Sequence, residues 1–111
     1  MNMEGQELIA FQIISAVGTA RSSYIEAISE ARQGHYDKAE NLIKEGDEAF
    51  IEGHDAHAKL LEDEANGKGQ PIGLLILHAE DQLMSAEAFK TIALEFIAVY
   101  KRLDGQEGKE A

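Results

Sequence analysis

The sequence predicts an all-α fold, an antiparallel three-helix bundle protomer that associates with copies of itself. Three observations carry this expectation. Apolar residues recur at spacings of three, four and seven in three long stretches, the pattern of amphipathic helices. The breaks between the stretches bear glycine, at Gly34 and again at Gly67 and Gly69. The third stretch is apolar on two opposed sides, whereas a three-helix protomer needs only one side of each helix for its own core.

The first helix is expected from about residue 7 to residue 32, with Ala10, Ile14, Val17, Tyr24, Ile28 and Ala31 along one side. Gly34 should end it, because glycine takes the left-handed conformation that closes a helix. Asp37 followed by Glu40 resembles a capping pair for the second helix, residues 37–65. That helix carries Ala39, Leu42, Ile43, Phe50, Leu60 and Leu61, with Gly46 and Gly53 inside it. Each interior glycine costs about 1 kcal/mol relative to alanine. Their seven-residue spacing sets both on one face, where a neighbouring helix can approach closely, so packing explains them. Asn66-Gly67-Lys68-Gly69 reads as a turn, and Pro71 suits the first turn of a third helix, residues 71–103. The polar tail, residues 104–111, is expected to fray.

The 111 residues form one domain, 1–111, and leave no room for a second core. The chain has no cysteine, which excludes disulfides, a thiolate nucleophile and cysteine-based zinc sites. Its net charge of -11 repels nucleic acid and anionic membranes and favours a partner with a basic face. Most of that charge is accounted for by solvated helix faces. The start, Met1-Asn2-Met3-Glu4-Gly5, lacks a basic region followed by an apolar stretch, so no signal peptide is expected. No apolar run approaches the ~20 residues of a membrane span. A cytoplasmic location follows as an expectation.

The third helix is the informative one. At about 100° per residue, Ile76, Ala79, Leu83, Ala86, Ala93 and Ile97 gather on one side, flanked by Leu75, Phe89 and Tyr100. Leu74, Leu77, Met84, Ala88 and Ile92 gather on nearly the opposite side. The second stripe calls for a partner, most simply further copies of this chain, in a number the periodicity does not set. Asp81 falls inside that stripe, between Leu77 and Met84, where an isolated carboxylate is costly to bury. It either sits at a wet edge or meets its symmetry copies around a shared cation such as magnesium, which favours oxygen ligands. His78 stands three residues earlier, at the border between the stripes. A lone histidine there is more often a packing residue, but imidazole is also the side chain that serves as a neutral nucleophile near pH 7. His35 falls at a turn and should be solvated. His54 and His57 are three apart, a spacing able to hold a metal, yet no third ligand is evident and packing or capping explains them better.

The segment Leu77-His78-Ala79-Glu80-Asp81-Gln82-Leu83-Met84 resembles the phosphorylation-site segment of the lactose/cellobiose-specific IIA proteins of the bacterial sugar phosphotransferase system (PTS). The resemblance extends from about Leu8 to Arg102. It takes in Gly18-Thr19-Ala20-Arg21-Ser22, the Gly34 break, Ala39, the His54 region, Glu64-Ala65-Asn66-Gly67 and Tyr100-Lys101-Arg102. It implies a homotrimer, with His78 as the phosphorylated residue and Asp81 of each protomer meeting one central metal ion, taken as Mg2+. Many members have histidine where this chain has Gln82 and glutamine where it has His57, so neither position inherits a role.

The activity implied is a phosphoryl relay. His78 would take the group from the phosphohistidine of the carrier protein HPr and pass it to a cysteine of the cognate IIB, with the sugar phosphorylated during uptake through IIC. Such transfer depends on in-line positioning and stabilisation of the phosphoryl oxygens. Other readings of the residues are a histidine phosphotransfer domain of a two-component relay and a non-catalytic trimeric adaptor. The former usually has four helices, with lysine and glycine soon after the histidine, where this chain has Glu80, Asp81 and Gln82. Lactose, cellobiose, chitobiose and other β-glycosides all fit as the sugar.

Overall fold

Helix α1 (Gln6–Arg32) ends where the glycine places its stop. Gly34 has φ +86°, its N–H donates to the Ala31 carbonyl, and the His35 N–H donates to the Glu30 carbonyl, both at 2.9 Å. This paired closure satisfies carbonyls that the helix leaves open. The same device ends α2 (Tyr36–Ala65): Gly67 has φ +75°, and the Gly67 and Lys68 N–H groups donate to Glu64 and Asp63. The computed structural model describes residues 5–105, and three helices with no strand account for nearly all of them.

Two helix starts differ from the expectation. His35, not Asp37, precedes α2, and no side chain caps it. Asp37 lies in the first turn instead, where its charge opposes the positive helix end. Helix α3 (Leu74–Leu103) begins three residues later than the sequence predicts. Starting at Pro71 would have put Gly73 inside the helix, at about 1 kcal/mol. With Gly73 extended (φ -107°, ψ 176°) just ahead of Leu74, that cost is avoided. The start of the tail is not frayed, since the Asp104 N–H donates to the Tyr100 carbonyl at 3.0 Å and its carboxylate accepts from the Tyr36 hydroxyl. The rest of the tail, residues 106–111, lies outside the described residues.

Helix α1 is the central element. Ala10, Ile13, Val17 and Leu60 pack with Ala79, Leu83 and Ala86, while Ala20, Tyr24, Ala27 and Ala31 pack with Ala39, Leu42, Ile43, Ala93 and Ile97. The two glycines of α2 do what their spacing predicts. A Cβ on Gly46 would lie 2.5 Å from a Tyr24 ring carbon, and one on Gly53 would lie 2.5 Å from Val17 Cγ1. The α1–α2 seam is therefore close and apolar. Helices α2 and α3 meet far less, and ion pairs span their seam: His57–Glu80 at 2.8 Å, Asp47–Lys90 at 3.0 Å and Glu40–Lys101 at 2.9 Å. Falling numbers on α2 meet rising numbers on α3, so the two run antiparallel. The result is a rod 54 × 29 × 19 Å.

Candidate functional site

Helix α3 shows both faces that its sequence predicts. Ala79, Leu83, Ala86, Ala93 and Ile97 are buried against α1, with Ile76 partly buried beside them. On the other side Leu74 is 83% exposed, Leu77 56%, Met84 65% and Ile92 41%. The bare stripe also runs further than the sequence reading took it. Phe96, Val99 and Leu103 are exposed and continue the same spacing. That continuation was present in the periodicity and could have been found there.

His78 and Asp81 are both exposed. The helix fixes their relation, three residues and about 60° apart, with Asp81 in the bare stripe and His78 on its border. His78 stands one position before the buried Ala79 and is itself exposed. Gln82 is partly buried one turn on. A cavity of about 920 Å³ lies elsewhere, bounded by Gln6, Asp63, Lys68, Pro71 and Leu75, at the end of the rod where α3 begins. The imidazole thus stands on open surface, accessible to a macromolecule.

The remaining histidines are placed differently. His57 is mostly covered and its Nε2 meets Glu80 Oε1, tying α2 to α3. This is a packing role of the kind the sequence favours for it. His54 is largely exposed, with its ring centroid 6.3 Å from that of Phe50. His35 is half-exposed and its Nδ1 sits 2.9 Å from Glu30 Oε1. The His35 hydrogen bond, then the nearby Lys38 and His35 charges, hold the Glu30 carboxyl below its usual value in spite of partial desolvation.

The sequence reading missed a second polar cluster. The Tyr24 hydroxyl donates to Asp47 Oδ1 at 2.6 Å, and Lys90 Nζ meets the same oxygen at 3.0 Å. Burial first, and then Asp47, push the Tyr24 phenol well above its ordinary range. Only the antiparallel register of α2 against α3 could have signalled this cluster. No group of three or more His, Cys, Asp or Glu is gathered to hold a metal among the described residues. Asp81 offers one unshared carboxylate between Leu77 and Met84, so a cation there fits only if copies of the chain bring theirs to it.

These features define a class: an all-α protein of three long helices that displays a histidine beside an unpartnered apolar helix face. The family described as "PTS system, Lactose/Cellobiose specific IIA subunit" matches residues 8–101. The lactose-specific EIIA component of Streptococcus mutans is 35% identical over 102 residues, covering 92% of this chain and 98% of that protein. The lichenan-specific IIA component of Bacillus subtilis is 36% identical over 108 residues, 97% of each chain. The crystal structure of the cellobiose-specific enzyme IIA of Bacillus anthracis superposes with a TM-score of 0.90 at 38% identity, over 95% of this chain and 96% of that one. The chain belongs to the lactose/cellobiose-specific IIA family of the PTS. It is a IIA component of a sugar phosphotransferase system, with the three-helix fold of that family. No helix among the described residues is long and apolar enough to cross a membrane.

Proposed function

We propose that this protein is a phosphoryl carrier in the uptake of a β-glycoside, and that His78 is the residue that carries the group. The observation that supports the site most directly is the exposed imidazole of His78 on α3, within the segment that resembles the family's phosphorylation site. In the proposed relay a neutral ring nitrogen attacks the phosphorus of phosphorylated HPr. The nitrogen–phosphorus bond to the HPr histidine breaks as the new one forms. The reverse geometry then delivers the group to a cysteine thiolate of the cognate IIB. No general base is needed, since neutral imidazole already presents a lone pair.

The same reading makes the protein a homotrimer in the cytoplasm, assembled through the bare face of α3. An exposed apolar stripe of this length is the mark of an interaction surface. Three copies of Asp81 would then approach the axis. A divalent ion of the magnesium type would neutralise their mutual repulsion there, a structural service and not a step in the chemistry. Lactose, cellobiose and lichenan-derived sugars, named for the relatives, are the candidate cargoes of the complete system.

The relay is tested by mixing the protein with phosphorylated HPr and then adding the cognate IIB. One phosphoryl group per chain should be taken up, and IIB should drain it. A chain that takes up none from HPr, or retains all of it when IIB is present, would not be this carrier.

A further inference from the structure

Arg21 is left incomplete by its own chain. Its Nε is buried with no hydrogen-bond partner, which leaves only the terminal guanidinium nitrogens within reach of a neighbour, and its guanidinium lies 5.0 Å from the centre of the Phe89 ring. Among the described residues no carboxylate pairs with it. A partly covered cation without an acceptor is costly, and a planar fork of five donors is suited to a carboxylate.

Its place on the rod says where that acceptor comes from. Helix α2 lies on the Lys90 and Lys101 side of α3, and Phe89 is one position, about 100°, round from Lys90. Arg21 therefore occupies the α1–α3 edge that faces away from α2. One turn further along α1, Ile25 is 42% exposed. This edge borders the bare stripe of α3 on the flank that holds His78 and Phe96. The opposite flank, toward α2, carries Glu87 and Glu95, both exposed and neither in an ion pair among the described residues.

A closed ring of identical chains sets one flank of each protomer against the other flank of the next. Parallel copies of α3 around such an axis keep equal residue numbers at equal height. The level of Phe89 on one chain thus faces the Glu87–Glu95 stretch of its neighbour. We infer that Arg21, through its terminal guanidinium nitrogens, pairs with the adjacent copy, against the Glu87 and Glu95 flank of that copy's α3, and that this charge pairing selects the closed ring. The inference rests on the self-association reading of the proposed function. It adds the residues that set orientation where the apolar stripe, alike at many registers, does not.

The experiment is sedimentation of the full chain over a concentration series, with helicity checked for every variant. The unmodified protein should be a trimer. Arg21→Glu should raise the concentration at which it dissociates by about tenfold or more. Adding Glu87→Arg and Glu95→Arg to the same chain should restore association, because every junction then regains opposite charges. Arg21→Met, which keeps an apolar stem over Phe89, covers the case in which Arg21→Glu does not fold: it should weaken the trimer and remove its sensitivity to added salt. A trimer of normal strength in both Arg21 variants, or no recovery in the combined variant, would overturn the pairing while leaving self-association standing. An unmodified protein that sediments as a monomer would overturn both.

Discussion

The two apolar faces of α3 are opposite in circumstance. The inner face, Ala79, Leu83, Ala86, Ala93 and Ile97, is covered by α1 and closes the core. The outer face, from Leu74 through Met84 to Leu103, stands in water. Burying one large aliphatic side chain is worth about 1.5–3 kcal/mol, so the outer face forgoes several times that in the isolated protomer. The difference shows that one helix divides two tasks by register alone. Residues that make the fold and residues kept for partners alternate along it, and His78 stands on the line between them.

Substitution at adjacent positions tests this division most strongly. Leu83 is 4% exposed and Met84 65%. Leu83→Ala should destabilise the protomer by about 2–5 kcal/mol through lost transfer energy and a cavity. Met84→Ala should change protomer stability by less than about 0.5 kcal/mol but weaken self-association. Denaturant unfolding at low protein concentration, paired with sedimentation, separates the two effects. Equal costs at both sites would mean that the outer face is covered by the protomer itself.

A smaller effect sharpens the reading of Asp81. In the proposed trimer its three copies repel one another unless a cation or proton intervenes. Chelation should lower the melting temperature and added magnesium should restore it. Asp81→Leu should abolish that response and, in chelator, stabilise the assembly by about 1–4 kcal/mol, since apolar volume in place of uncompensated buried charge is often favourable. If Asp81→Leu retains the full response to metal, the ion is held elsewhere.

The smallest effect lies at the end of the rod where α1 turns into α2. Glu30 has its carboxyl pKa lowered from 4.5, first by the His35 hydrogen bond. A depressed carboxylate contributes stability that is present above 4.5 and is lost as the pH falls below that value through the folded pKa. The melting temperature of Glu30→Gln should therefore fall short of the unmodified protein's at neutral pH, and the gap should close on acidification. A gap that persists unchanged in acid would show that the Glu30 charge contributes nothing.

What was legible in the sequence follows the same division. Periodicity located three helices, both faces of α3, and the close approach at Gly46 and Gly53, because packing repeats along a helix. Left-handed glycine located the Gly34 stop. The start of α3 was misplaced, since Pro71 is compatible with a helical first turn but does not compel one, and Gly73 decided the matter. The α2–α3 ion pairs, the Tyr24–Asp47–Lys90 cluster and the unpartnered Arg21 gave no local signal. Each depends on how one helix is rotated against another more than twenty residues away. Of the site, periodicity showed His78 and Asp81 as oddly placed residues, and the family resemblance supplied their chemistry.

The central claim is that the outer border of α3 carries the phosphoryl group, and the chain offers four histidines on which to test it. The direct measurement is peptide mapping by mass spectrometry, under alkaline conditions, after incubation with phosphorylated HPr. The phosphoryl group should be found on His78, lost on acid treatment, and absent from a His78→Ala protein of unchanged helicity. A group found on His35, His54 or His57 instead, or equal labelling of the His78→Ala protein, would contradict the assignment.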